Sequence, residues 1–570
     1  MSTPLAASHA RGATTPPLIE QTLGAFFDAM VDKVPDREAL VVAHQRRRYT
    51  YRQLQTDSRR LASALLGLGL KPGDRIGIWS HNNAEWVLMQ LATAMAGLVL
   101  VNINPAYRTA EVEYALNKVD CKALVTMPRF KTSDYVGMLR ELAPEWAHAR
   151  SGELLESQTL PHLKHAIWID VAGEGAAEPG FMRFSDLMKT GDPQDARLPQ
   201  VARLLHNTDP INIQFTSGTT GFPKGATLTH RNILNNGFFI GEAMKLTQED
   251  RLCIPVPLYH CFGMVLGNLA CLTHGACIVY PNDAFDAITV LETVQQEKCT
   301  GLHGVPTMFI AELDHPRFNE FDLSTLRTGI MAGSPCPIEV MKRVQADMNM
   351  AEVTIAYGMT ETSPVSCQSS TDTPLDKRVS TVGQVQPHLE VKIIDPETGD
   401  TVPRGTTGEL CTKGYSVMLG YWGDNVRTRE AIDAEGFMHT GDLATMDDEG
   451  YVNIVGRSKD MVIRGGENVY PREIEEFLYR HPKIQDVQVV GVPDQRFGEE
   501  LCAWIMVKPG QTLTEAEVRE FCKGKIAHYK VPKYLRFVAE FPMTVTGKIQ
   551  KFKIREQMQQ ELGLQEVRTA

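Results

Sequence analysis

The 11 cysteines include no C-x-x-C pair and no Cys/His grouping at zinc spacing, which argues against zinc fingers, thioredoxin-type motifs and disulfide scaffolds. Cys253, Cys271 and Cys277 sit in apolar runs, as buried free thiols do, and suit a reducing compartment. Long hydrophobic runs are missing too. The stretches around 86–101 and 262–280 are too short or are broken by Asn268 and His274, so no membrane span is called for. Nothing reads as a secretory signal. Residues 1–19 carry no Asp or Glu and a single arginine, Arg11, and read as a disordered tail. A basic excess is absent: net charge is −11, and even over 457–570 the balance is 19 Lys and Arg against 16 Asp and Glu. Such a balance admits an anionic ligand and does not call for nucleic acid. A Walker A loop is also lacking, because no G-x-x-x-x-G-K-[ST] can be laid on the chain.

What is there is a chain of 570 residues, 43% hydrophobic and 22% charged, too long for one core and of ordinary globular composition. From about residue 20 to 455, short β-like runs alternate with helical patterns. Arg75–Trp79, 99–103, 123–127, 211–215 and 276–280 read as strands, and 84–96 and the run from Arg231 read as helices. That alternation predicts βαβ units with largely parallel sheets. After about residue 385 the pattern turns to short strands and turns, as at 389–394, 408–411 and 451–455. The last 110 residues look self-contained: Pro471 opens a helix, alternation through Val487, Val489 and 502–507 gives strands, and a second helix lies near 515–528. The division is a tail at 1–19, a large domain at 20–456, a short polar junction at 457–460 and a small α+β domain at 461–570. No internal repeat is found.

The run Phe215-Thr216-Ser217-Gly218-Thr219-Thr220-Gly221-Phe222-Pro223-Lys224-Gly225 sets three glycines and four hydroxyls beside a lysine. Glycines let backbone N–H groups approach a ligand, hydroxyls donate to phosphate oxygens, and Lys224 adds charge, so a polyphosphate is the natural guest. With a strand before it and a helix after it, the loop is expected between strand and helix, where α/β proteins present phosphate sites. Downstream stand Tyr357-Gly358-Met359-Thr360-Glu361-Thr362, Thr440-Gly441-Asp442, Gly456-Arg457-Ser458-Lys459 and Thr544-Val545-Thr546-Gly547-Lys548.

In this order the runs resemble the adenylate-forming superfamily of acyl-CoA synthetases, luciferases and adenylation domains, over about residues 20–560. Arg464-Gly465-Gly466-Glu467-Asn468-Val469-Tyr470-Pro471 and Gly547-Lys548-Ile549-Gln550-Lys551 are most similar to the medium-chain fatty acyl-CoA synthetase branch. The resemblance implies a large α/β domain with mostly parallel sheets and a β-rich part, plus a small mobile C-terminal domain. It implies ATP, CoA and a fatty acid as substrates with Mg²⁺ as cofactor, small-molecule partners only, and a cytoplasmic location with the mitochondrial matrix as the lesser alternative. A homodimer is compatible with it.

It also implies roles. Thr216, Ser217, Gly218, Thr219, Thr220 and Gly221 would hold the β- and γ-phosphates, with Lys224 nearby. Tyr357 would stack on adenine, alongside Gly333-Ser334-Pro335 and within the 357–360 segment that includes Gly358 and Met359. Thr360 would touch the α-phosphate, Glu361 would bind Mg²⁺, and Asp442 and Arg457 would meet the ribose. Lys548 would bridge carboxylate and α-phosphate. Lys459 would be the hinge, and Gly465, Gly466 and Glu467 would line the CoA channel. His260 would orient the acid, unless it is a packed core histidine, and Val305 and Gly358 would line the acyl pocket. Gly358 stands where acetate-specific relatives carry a tryptophan, and is expected to leave room for longer acids. A luciferase-like oxygenase and an enzyme loading a carrier protein in trans share these motifs. A non-enzymatic nucleotide sensor would not need Lys548 and Glu361.

Overall fold

A computed structural model describes residues 6–170, 178–216, 223–334, 336–457, 460–464, 467–494, 496–523, 525–544 and 547–564. Two large sheets carry the first part of the chain. In one, the strands run in the order Phe181–Arg183, His165–Trp168, Ala123–Thr126, Arg75–Trp79, Val99–Asn102, Pro210–Thr216, Lys224–Thr229 and Gly420–Tyr421, parallel except for the last two pairings. The other has nine strands around a parallel centre formed by Glu38–Val42, Cys277–Tyr280, Arg251–Cys253, Gly301–Gly304, Thr328–Ala332 and Glu352–Gly358.

The central strands are buried on both faces, as parallel strands between helix layers must be. The helix Ala84–Ala96 is buried at every residue, capped by Asn83 at one end and by left-handed Gly97 at the other. It packs between strands and helices rather than showing one face to water, which explains its nearly continuous apolar sequence.

A third sheet is antiparallel throughout: His9–Arg11, Leu389–Ile394, Gly408–Gly414, Met438–Met446 and Val452–Arg457. Its first strand corrects the expectation of a disordered tail. His9, Ala10 and Arg11 pair with Lys392, Val391 and Glu390, and the buried Ser8 hydroxyl donates to Pro403 at 3.0 Å. The segment is held by partners some 380 residues away, which local composition does not reveal. From Val462 the chain builds a separate five-stranded sheet with its own core of Ile474, Leu478, Val487, Val489, Ala503 and Ile505. Pro471–Leu478 is the helix expected there, whereas the second helix ends at Cys522 and His528–Lys530 forms a separate 3₁₀ turn.

Candidate active site

The glycine-rich run at 215–225 does not pass directly from a strand into a helix. Pro210–Thr216 is followed by a second strand, Lys224–Thr229, antiparallel to it, with Thr216 opposite Lys224. Only then does the helix His230–Ala243 begin, capped by Thr229. The stretch Lys224-Gly225-Ala226-Thr227-Leu228-Thr229 is short, β-branched at two positions and buried from Gly225 on, so it continues the sheet as its last strand but one. The run therefore joins two paired antiparallel strands, with Thr216 and Lys224 at the mouth of the hairpin. Ser217, Gly218, Thr219, Thr220 and Gly221 lie outside the described residues.

At the mouth of that hairpin the two flanking side chains meet a carboxylate. Thr216 Oγ1 donates to Glu361 Oε1 at 3.0 Å, and the Tyr421 hydroxyl donates to the same oxygen at 2.9 Å. Lys224 Nζ donates to the Tyr421 oxygen at 3.0 Å and lies 4.3 Å from the centre of its ring. Glu361 is 5% exposed, so these hydroxyls replace water around its charge. Burial and the Glu361 charge hold the Tyr421 phenol far above its ordinary pKa, so it stays a donor. Glu361 sits in the single 3₁₀ turn Thr360–Thr362, directly after the strand that carries Tyr357.

Tyr357 leads to a second group. Its hydroxyl donates to Asp442 Oδ2 at 2.6 Å, and Arg457 Nε lies 3.3 Å from Asp442 Oδ1. Asp442 and Arg457 are register partners on adjacent strands. The turn before Asp442 passes through left-handed Gly441 and is pinned by Thr440 Oγ1, which donates to the Leu410 carbonyl at 2.6 Å and accepts from the Asp442 N–H. Burial, then the Asp442 charge, push the Tyr357 phenol well up.

The third group joins the small domain to the large one. Gly547 has φ +75°, and its carbonyl accepts from Thr307 Oγ1 at 3.4 Å. A Cβ on Gly547 would stand 2.9 Å from Val305 Cγ2, so this glycine is required both by its backbone and by the close approach. Thr544 fastens the turn: its N–H donates to the Lys548 carbonyl at 2.7 Å, and its hydroxyl accepts from the Lys548 N–H at 3.0 Å. The Lys548 charge is thereby held within electrostatic reach of His260. Burial, reinforced by the Lys548 charge, lowers the His260 pKa to about 4, so the imidazole is neutral at pH 7. Buried asparagines hold the segment ahead of His260: Asn82 pairs with Val256 and Leu258, and Asn102 donates to the Tyr259 carbonyl. His260 Nδ1 accepts from the Phe262 N–H at 3.1 Å, at the start of the buried π-helix Phe262–Leu269. Such helices are uncommon and concentrate at functional sites.

Several contacts brace this closed arrangement. Arg472 donates to the Ile454 carbonyl at 2.5 Å, the Ile338 N–H to Glu476 at 3.3 Å, and Gln485 to Asp314 at 3.2 Å.

A family model described as AMP-binding enzyme matches residues 27–422, and its C-terminal companion, AMP-binding enzyme C-terminal domain, matches 473–548. The chain belongs to the AMP-binding enzyme family. The Bacillus subtilis protein YngI is 50% identical over 95% of this chain and 97% of its own. The Bos taurus mitochondrial medium-chain acyl-CoA ligase ACSF2 is 47% identical over 98% of this chain and 91% of its own. Among solved structures, the anthranilate CoA ligase AuaEII in complex with anthranoyl-AMP superposes with a TM-score of 0.84 at 27% identity. That match covers 96% of this chain and 99% of the ligase.

The remaining expected residues divide. Gly333 (φ +91°) stands by Val305, 3.1 Å from where its Cβ would be, and Ser334 follows it. Met359 donates its N–H to the Pro364 carbonyl at 3.0 Å. Pro335, Lys459, Gly465 and Gly466 lie outside the described residues, as does the side chain of Glu467. At Gly358 a Cβ would fall 1.7 Å from the Pro364 carbonyl oxygen and 2.9 Å from Val365 Cα, so a close backbone crossing by itself calls for glycine there. Tyr421 was not anticipated. Its only signal was the exposed-looking Leu419-Gly420-Tyr421-Trp422 stretch, whose aromatics fall at a sheet edge.

Proposed function

We propose that the chain is an AMP-forming acyl-CoA synthetase. The observation that carries the reading is the seating of the Gly547–Lys548 turn on Val305–Thr307, which delivers a cation from the small domain to the polar groups of the large one. A carboxylate oxygen attacks the α-phosphorus of ATP, the α–β bond breaks, and pyrophosphate leaves with the electron pair. Negative charge builds on the α-phosphoryl oxygens in that step, and a preorganised cation there lowers the barrier. The thiol of CoA next attacks the adenylate carbonyl, its proton passes to solvent, and AMP leaves.

Thr216 and Lys224 at the hairpin mouth receive the pyrophosphate end. Tyr357 offers its ring to adenine, and Asp442 with Arg457 meets the ribose. Thr360 faces the α-phosphate. Neutral His260 and Val305 border the acid, and Lys548 spans the acid and the phosphate. Glu361 fits a Mg²⁺ site, because both described hydroxyl donors converge on Oε1, and this ion needs only one or two carboxylates besides phosphate and water oxygens. Mg²⁺ bound there would neutralise phosphate charge. Thioester formation needs a second position of the small domain, hinged at Lys459, with Gly465, Gly466 and Glu467 along the CoA path.

Medium- to long-chain fatty acids are the substrate class, a reading supported by the name of the Bos taurus relative and by the apolar π-helix behind His260. Each buried CH₂ adds about 0.8 kcal/mol, enough for preference without strict selection. Cytoplasm is the assigned compartment, supported by 11 buried free thiols; among the described residues no helix is long and apolar enough to cross a membrane. The test is AMP release over acids from acetate to long-chain fatty acids and cinnamates, with CoA, with an acyl carrier protein, or with neither. The expected result is CoA-dependent release that rises with chain length. Release supported by the carrier protein alone, or oxygen uptake during turnover, would overturn the assignment.

A further inference from the structure

We propose that Glu409, Cys411 and His439 form a binding site for a zinc-class divalent cation, distinct from the Mg²⁺ position at Glu361. The three ligand atoms lie within 4.8 Å of one another. Strand geometry brings them together. Glu409 and Cys411 are two residues apart on Gly408–Gly414 and so share a face, and His439 on Met438–Met446 is the register partner of Cys411. No linear Cys/His spacing announces the set, because one ligand arrives through strand pairing.

The two His439 distances come within about 0.4 Å of those around a single ion. Zn–S of about 2.3 Å with Zn–N and Zn–O of about 2.0–2.2 Å in a tetrahedron places S and N about 3.5 Å apart and N and O about 3.4 Å apart. His439 Nδ1 lies 3.7 Å from Cys411 Sγ and 3.0 Å from Glu409 Oε2. The other ring nitrogen, Nε2, lies 3.7 Å from Asp433 Oδ2, beyond hydrogen-bond distance but on the side from which a carboxylate can orient a metal-bound imidazole. Asp433 is itself fixed, since its Oδ1 accepts from the Glu435 and Phe437 N–H groups at 2.9 Å.

The surroundings carry three carboxylates, Glu409, Asp433 and Glu435, against two ammonium groups, Lys392 and Lys413. Lys392 lies 3.1 Å from Glu435 and 3.9 Å from Asp433 Oδ2, and the two ammonium groups stand over the Phe437 ring at 4.0 and 5.3 Å. A thiol, an imidazole and one carboxylate select a borderline-soft ion over Mg²⁺ or Ca²⁺. On binding, the ion takes the place of the thiol proton, which is released to solvent. Glu409 Oε1 meanwhile accepts from the Gly441 N–H at 3.0 Å, so the ion would clip together the turn that presents Asp442.

The full chain, stripped with a chelator, is titrated with Zn²⁺ against a chromophoric competitor and separately with Co²⁺. One equivalent of Zn²⁺ is expected, unaffected by excess Mg²⁺, and Co²⁺ should give a thiolate charge-transfer band. His439→Gln, at a half-buried side chain that keeps the fold, and Cys411→Ala should each abolish both signals, and Asp433→Asn should weaken Zn²⁺ binding roughly 10–100-fold. Circular dichroism and thermal unfolding verify the variants. Absence of stoichiometric binding, a cobalt spectrum without the thiolate band, or undiminished binding by His439→Gln overturns the proposal.

Discussion

Tyr421→Phe deletes a single oxygen that two charged groups share, and the structure fixes how much that oxygen does. In the folded protein it donates to Glu361 Oε1 at 2.9 Å and accepts from Lys224 Nζ at 3.0 Å. A hydrogen bond to a charged group contributes about 1.5–3 kcal/mol, and a buried acceptor left short of donors incurs a similar cost. Phenylalanine keeps the ring under Lys224, which retains about 0.5–2 kcal/mol of cation–π attraction, and Thr216 keeps its bond to Glu361. The net loss falls on the positions of Glu361 and Lys224 and comes to about 1.5–3 kcal/mol. At 1.4 kcal/mol per decade, the apparent constants for ATP and Mg²⁺ in carboxylate-dependent ATP–pyrophosphate exchange should rise roughly 10–100-fold. The constant for the acid should stay within about twofold, because the Tyr421 hydroxyl engages Glu361 and Lys224, while His260 is held by the Phe262 N–H. Release of thioester from a supplied acyl adenylate should be spared. A folded variant whose ATP and Mg²⁺ constants match the parent would refute the claim that this hydroxyl organises the phosphate end of the site.

Lys548→Ala should slow exchange by roughly 10²–10³ while leaving CoA transfer to a supplied adenylate near normal, as expected of a cation used only in the first step; normal exchange would remove Lys548 from the mechanism. Gly358→Ala should destabilise the large domain by about 3 kcal/mol or more, read as a lowered unfolding midpoint or loss of soluble protein, since the new Cβ meets a backbone oxygen at 1.7 Å. A stable Gly358→Ala enzyme with altered chain-length preference would refute this packing argument and favour the pocket role. His230 and His303 are buried, with pKa values lowered to about 4 by burial, against an ordinary value of 6.5. Between these values the unfolded chain binds protons that the folded chain does not, so stability should fall as pH drops from about 6.5 to about 4. Urea midpoints at pH 7 and pH 4.5 test this, and the pH dependence should shrink in His303→Gln. Equal dependence in parent and variant would refute the assignment for that residue.

The sequence made some elements legible and hid others for one physical reason. Arg75–Trp79 and Ala84–Ala96 have the expected bounds because their signals are local: a short apolar run closed by turn residues, and a helix with Asn83 and Gly97 at its ends. The family was also legible, since the runs holding Tyr357, Thr360, Glu361, Asp442 and Lys548, each weak alone, stand in an order that points to it. What escaped depends on pairings between distant segments. His9–Arg11 has little local strand character and is a strand only because Leu389–Ile394 offers its edge. Lys224–Thr229 was passed over because a glycine-rich run followed by a helix suggests a helix N-terminus, yet Gly420–Tyr421 gives this strand a second neighbour.

That same pairing explains why Tyr421 was invisible and why it matters. Pairing Ala226 with Tyr421 brings the ring of Tyr421 beside the hairpin mouth, where Lys224 and Glu361 can reach its oxygen. Under the proposed function, the described part of the grip on the phosphate end of ATP rests on hydroxyls and a lysine fixed by antiparallel strands, with a buried carboxylate at their centre, so it depends on strand register. A substitution that slips the 224–229 strand by one residue would turn Lys224 to the opposite face of the sheet, away from Glu361. For this site the edge strand at 420–421 is as much a part of the phosphate grip as the glycine-rich run that announced it.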